Sequence, residues 1–295
     1  SRRHRARSAS IPEGAEDGVS MVPIGIDETA SGFAGRSGLT GAGTISFLAT
    51  ASAAELIGRC PKVATLLPEL VAALATQEAE APTRLFDLSG WGADDLELIG
   101  QVLGEGEVSA TVALPDGVIA QAQESVMAGL WRVRFADASG ALVADYVEIA
   151  AVPAAVERAA AMTRVLDDLP QPPTGAMNVM SLLTEIRDRA LAHRPGAASH
   201  TITFSLFPMS DADMAHLQET LGPGPVQMLS RGYGTCRIVA TGVRNVWSVQ
   251  YFNAMDTIVL DTLEIGDVPV TARAAVEDFR DSAERLREIE EAYFK

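Results

Sequence analysis

Only two cysteines, Cys60 and Cys236, occur in 295 residues. Two cannot form a disulfide framework or a Cys-x-x-Cys motif, and such sparse use fits a reducing compartment. The histidines are equally few. His4, His193, His200 and His216 include no pair at zinc or iron spacing. Phosphate-binding loops are missing too. Gly232-Tyr233-Gly234 and the stretch from Leu103 to Gly106 lack both the Gly-Lys-Ser/Thr ending and the third glycine of a dinucleotide fingerprint. Their glycines are expected at turns or close backbone approaches. No Gly-x-Ser-x-Gly elbow appears. Asp94 and Asp95 are adjacent, and adjacent helical residues do not face each other, so a helix-start role is preferred over an acid pair. The reading is of a non-enzyme that needs no metal or cofactor.

Long apolar runs are also lacking. The longest uncharged stretch, 37–54, is rich in Gly, Ser, Thr and Ala. It falls short of the roughly 20 apolar residues that cross a bilayer. Arg2-Arg3 is followed by Glu13, Glu16 and Asp17 rather than an apolar segment, so no export signal is expected. A cytoplasmic protein without membrane contact is the expectation. Basic charge is scarce beyond the first ten residues. The chain carries −16 overall, with four arginines and no acid in residues 1–10, so the remainder carries −20. That surface repels phosphate backbones and argues against nucleic acid. It serves solubility or a basic partner.

What the chain does have is a repeat. Leu66, Leu67 and Glu69 recur as Leu182, Leu183 and Glu185, an offset of 116. Phe86, Leu88, Asp95, Leu103, Gly104, Gly106 and Val108 recur as Phe204, Leu206, Asp213, Leu221, Gly222, Gly224 and Val226, an offset of 118. Trp131, Val133, Glu148, Ile149 and Pro153 recur as Trp247, Val249, Glu264, Ile265 and Pro269, again at 116. Loops absorb the drift of two.

Each unit reads as helix, strand, helix, three or four antiparallel strands, then helix. Helical spacing runs from Val63 to Leu74. Asp94 and Asp95 open a helix that Gly104 stops. Pro115-Asp116-Gly117 and Asp137-Ala138-Ser139-Gly140 mark turns between strands. Thr44 to Leu48 reads as a strand. Pro153 opens a helix through Leu166. Ser210-Asp211-Ala212-Asp213 resembles a capping box. A long helix follows Pro269, with an apolar stripe through Val276, Phe279, Ala283, Leu286 and Ile289 and an acidic remainder.

The hydrophobic fraction of 47% supports a sizeable core. The fold expected is α+β: two tandem homologous units, each an antiparallel sheet with helices packed on one face, in a pseudo-two-fold arrangement. Residues 1–40 read as a flexible tail, 41–168 as the first unit, 169–175 as a Pro-rich linker and 176–295 as the second unit. Trp131 and Trp247 hold equivalent places. Each either packs in the core or lines an apolar groove for a partner. Tyr251 and Asn253, and the loop Gly232, Tyr233 and Gly234, are the other candidate contacts.

These segments resemble a known family. Residues 123–133, Gln-Glu-Ser-Val-Met-Ala-Gly-Leu-Trp-Arg-Val, are similar to the first-repeat signature of HupH/HyaF-type hydrogenase expression/formation proteins. Leu-Leu-Thr-Glu-Ile at 182–186, Pro-Met-Ser-Asp-Ala-Asp at 208–213, Gly232-Tyr233-Gly234 and Asn-Val-Trp-Ser-Val-Gln-Tyr-Phe-Asn at 245–253 resemble its second-repeat signature. The resemblance covers about 61–290. It implies maturation of a [NiFe] uptake hydrogenase by a cytoplasmic accessory factor. The implied partner is the iron–sulfur small subunit precursor, with a thioredoxin-like maturation protein as a helper. An iron–sulfur or metal-handling factor and a permanent structural subunit are the rival readings, and a homodimer is open.

Overall fold

The computed structural model describes residues 41–232 and 234–295. The tail assigned to 1–40 and the candidate contact Tyr233 lie outside the described residues.

The first repeat contains α1 (Gly41–Leu48), α2 (Ala51–Arg59), α3 (Pro61–Leu74), β1 (Arg84–Asp87), α4 (Ala93–Leu103), β2 (Val108–Ala113), β3 (Ile119–Glu124), β4 (Leu130–Ala136), β5 (Leu142–Ile149) and α5 (Ala154–Ala161). The second contains α6 (Val179–Ala192), β6 (His200–Thr203), α7 (Asp211–Leu221), β7 (Pro223–Ser230), β8 (Thr235–Thr241), β9 (Val246–Phe252), β10 (Ile258–Ile265) and α8 (Val276–Tyr293). The strand expected at Thr44–Leu48 is instead part of α1. Thr44 and Leu48 are both buried, and a four-residue spacing puts them on one helical face. The helix opened by Pro153 stops at Ala161, short of Leu166.

All ten strands join one antiparallel sheet in the order β1-β5-β4-β3-β2-β7-β8-β9-β10-β6. The two units therefore share a sheet rather than keeping one each. The junction is the β2–β7 ladder, where Val108 faces Ser230, Ala110 faces Met228 and Val112 faces Val226. Ala110 and Met228 are themselves equivalent at the offset of 118, so the ladder is centred on a pair of matching residues. Each repeat covers the open strand edge of the other.

Register also relocates the drift. Arg84 pairs with Ile149 and His200 with Ile265, so β1 and β6 match at 116. Phe86 thus corresponds to Ile202, and the sequence match to Phe204 is displaced by two. The extra residues fall in the loop between β6 and α7. A second aromatic-x-leucine pattern there imitates the first.

Alternation sets two sides. Leu130, Val147 and Ile149 turn toward α3, α4 and α8, while Val246, Leu263 and Ile265 turn toward α6 and α7. Trp131, Val133, Trp247 and Val249 point the other way, into a central cluster with Val152, Val156 and Ala272. Helices therefore cover both faces, α5 lying over β2 and β7 opposite the outer helices.

The repeats exchange their ends. α8 packs on α3 of the first repeat. Ser282 Oγ donates to Ala128 O at 2.9 Å and Arg285 Nη1 to Val126 O at 3.1 Å. In return, the chain after α5 docks on the second repeat. Arg164 N donates to Gly242 O, and Arg244 N donates to Arg164 O. Leu166 is buried in the cluster under α6 and α7.

Candidate partner-binding site

Trp131 and Trp247 occupy the middle strands of equivalent hairpins. Trp131 on β4 faces Glu124 on β3 and Glu148 on β5. Trp247 on β9 faces Ala240 on β8 and Glu264 on β10. Their exposures are 0% and 2%. The Trp131 indole N–H donates to Ala150 O at 3.0 Å. Both rings fill the central cluster under α5 and the 3-10 turn Val270–Ala272. Of the two places open to them in the sequence, core packing is the one observed, and neither ring lines an open groove. A face turned under α5 and that turn needs large rings to fill it.

Buried acids accompany them. The Glu124 carboxylate accepts from Gly129 N at 3.1 Å. Burial, with repulsion from Asp278 and Glu107, pushes its pKa up to about 7 against the pull of that hydrogen bond. Glu148 accepts from Ala154 N at 2.6 Å, at the start of α5. Burial, helped by Glu157, likewise raises its pKa to about 7. Burial raises Glu264 as well.

Gly232, Gly234 and Asn253 gather at one end of the sheet. β7 and β9 run in parallel, so the β7–β8 turn and the β9–β10 turn emerge side by side. Thr235 pairs with Phe252 between them. Gly234 has φ of 107°, a conformation that favours glycine. A Cβ on Gly232 would come within 2.4 Å of Glu107 Oε2. Asn253 builds the second turn: its Oδ1 accepts from Met255 N at 2.9 Å and Thr257 N at 3.0 Å. Tyr251 stands apart from this rim. It is half-buried opposite Cys236 on β8.

Two residues that the sequence reading passed over complete the rim. Met255 tips the Asn253 turn and is 80% exposed. Arg237 stacks its guanidinium 5.9 Å from the Phe252 ring centre. A methionine between Asn and Asp turn residues was the available signal for the first.

The thiols are placed for packing. Cys60 and Cys236 are both buried, in different clusters. Burial pushes the Cys236 thiol up to about 11. Burial and the nearby Asp95 and Asp94 raise Cys60. Neither is a thiolate at neutral pH. Among the described residues, no three His, Cys, Asp or Glu side chains cluster as metal ligands, and no helix is long and apolar enough to cross a membrane.

The fold defines a tandem-repeat α+β protein built on one shared antiparallel sheet. The family model for the HupH hydrogenase expression protein C-terminal conserved region matches twice, over 62–164 and 176–293. The chain belongs to the HupH/HyaF family of hydrogenase expression proteins. It is 56% identical over 284 residues to hydrogenase expression/formation protein HupH of Rhizobium leguminosarum bv. viciae, spanning 96% of this chain and 97% of that protein. Hydrogenase expression/formation protein HoxQ of Azotobacter vinelandii is 42% identical, covering 79% and 82% of the two chains. Hydrogenase-1 operon protein HyaF of Escherichia coli is 36% identical, covering 81% and 84%. A solved structure of HupH from Thiobacillus denitrificans aligns at a TM-score of 0.34 and 23% identity, over 39% of this chain and 95% of that one.

Proposed function

We propose that this protein is an accessory maturation factor that binds the iron–sulfur small subunit of a [NiFe] uptake hydrogenase before assembly or export. The observation that carries the reading is the 56% identity to a hydrogenase expression/formation protein across nearly the whole chain. It acts in the cytoplasm by binding and release, as a chaperone without turnover or cofactor. Residues 41–168 and 176–295 act as its two units, joined by the Pro-rich 169–175 and related by a pseudo-two-fold axis near Ala110 and Met228.

The contact surface we assign is the double turn: Gly232, Tyr233, Gly234, Asn253 and Met255, with Tyr251 behind it. Trp131 and Trp247 stiffen the strands that present such turns. The acidic surface steers a basic, arginine-bearing export signal toward the chain. A thioredoxin-like maturation protein is the second partner.

Co-purification tests the reading. Tagged protein should retain unprocessed small subunit, and Met255→Glu with Asn253→Ala should weaken retention by about tenfold, or 1.4 kcal/mol. Recovery of mature hydrogenase alone, or of no hydrogenase subunit, would overturn it.

A further inference from the structure

The turn 125–129, between β3 and β4, is the seat of α8. Ser282 and Arg285 donate to its carbonyls, and Phe279 is buried in the same cluster as Met127. The second repeat makes the same turn at 241–245. Thr241 Oγ1 accepts from Val243 N at 3.2 Å, as Ser125 Oγ accepts from Met127 N at 3.1 Å. Gly129 and Asn245 are matching residues, and both have positive φ. What differs is an acid. Glu124 lies opposite Trp131, where Ala240 lies opposite Trp247. The fold therefore makes this turn without a carboxylate.

Glu124 is 6% exposed, and like charges face it from two sides. Asp278 stands on the first turn of α8, where its Oδ2 accepts from Ala275 N at 2.7 Å. Glu107 stands just ahead of β2, and Glu148 flanks Trp131 from the other side. Arg285, a basic group that α8 brings to the turn, donates to Val126 O. Ionised, Glu124 is desolvated between acids. Protonated, it is neutral and still accepts from Gly129 N.

We propose that Glu124 is a proton-operated latch for α8. Protonated, it leaves the front of the helix, residues 276–286, seated on the turn. Ionised, it repels Asp278 and Glu107, and the front of α8 opens while the sheet stays folded. The helix is the part that gives, because β2 and β3 are joined by a backbone ladder and α8 is held on the turn by side chains. With α8 seated, the Glu124 pKa is about 7, against an ordinary 4.5. Seating takes up a proton, so opening grows as pH rises from about 4.5 and levels off above about 7.

Hydrogen exchange on the full chain tests this, with rates corrected for the intrinsic effect of pH. Amides 279–286 should open more readily than those of Trp131 and Val133 on β4. Their opening constant should rise about tenfold from pH 6 to pH 8. Glu124→Gln should abolish that rise in α8 while β4, which opens only on global unfolding, keeps the dependence due to Glu148. Asp278→Asn retains an acceptor for Ala275 N and should cut the α8 rise to about threefold. This second variant carries the test if Glu124→Gln does not fold. One shared opening constant for α8 and β4 would overturn the proposal. So would an α8 rise that survives Glu124→Gln, or one unchanged by Asp278→Asn.

Discussion

A Cβ placed on Gly129 would lie 2.3 Å from Cε1 of Phe279. Gly129 belongs to the turn before β4, and Phe279 to the first turns of α8. The glycine also has φ of 79°, where a side chain is strained. This contact lets the last helix of the chain seal the first repeat, where Phe279 is fully buried.

Gly129→Ala should therefore cost about 2–5 kcal/mol, combining overpacking with backbone strain. Urea unfolding checks it. A loss below about 1 kcal/mol would mean that α8 shifts freely, contrary to a tight seat.

The buried acids predict an unusual pH dependence. Glu124 and Glu148 have folded pKa values near 7, raised from 4.5. Between those values the folded state holds the extra protons, so stability falls as pH rises from about 4.5 and levels off above about 7. Glu148→Gln should flatten part of that slope and stabilise the protein at pH 8 by about 1–3 kcal/mol. Identical slopes for parent and variant, from thermal unfolding across this range, would refute the assignment.

Asp213 works in the opposite sense. Its Oδ1 accepts from Met177 N, Asn178 N and Val179 N at 2.8, 2.9 and 3.0 Å. Its Oδ2 accepts from Ser210 N and Oγ. Burial opposes ionisation, but these donors outweigh it and hold the carboxyl far below its ordinary 3.8. Its contribution is present above that value and is lost as pH falls below it. Asp213→Asn should cost about 2–4 kcal/mol at pH 6 and much less near pH 2. The matching Asp95→Asn should cost under about 1 kcal/mol. The position equivalent to Met177 in the first repeat is Pro61, which has no N–H to give, and Asp95 Oδ1 is buried without a hydrogen-bond partner among the described residues. Equal costs at the two sites, measured by denaturant titration, would count against this account.

Core and rim should separate cleanly. Trp247→Ala should destabilise by about 3–5 kcal/mol, because a buried ring leaves a cavity. Met255→Ser should stay within about 0.5 kcal/mol and yet weaken capture of the small subunit. A stable Trp247→Ala protein with a specific binding defect would return the tryptophans to the contact surface.

Much of this molecule was legible from periodicity and turn chemistry. The Pro115-Asp116-Gly117 and Asp137–Gly140 turns, the α4 start at Asp94-Asp95 and the Ser210–Asp213 capping box all lie where local rules put them. Long-range placement was not legible. An apolar stripe on α8 says that it is buried, and Phe279 would read the same against either repeat. Only the glycine at 129 distinguishes them, and its partner is 150 residues away. The register of β6 was misread because Phe204-Ser205-Leu206 imitates Phe86-Asp87-Leu88. Burial of Trp131 could not be separated from groove lining, because the same amphipathic ring serves both.

The seat of α8 has a consequence for the order of synthesis. A nascent chain at the ribosome completes β5 at residue 149 and must then wait for residues 276–293. At about 5–20 residues per second, that interval is roughly 6–30 s. Through it the first repeat carries an unfilled core, and its β2 edge stays bare until β7 is complete at residue 230. Completion of α8, rather than emergence of the first half, is the event that closes the first repeat. A message or chain cut short before α8 yields a product that proteases and chaperones can recognise as unfinished.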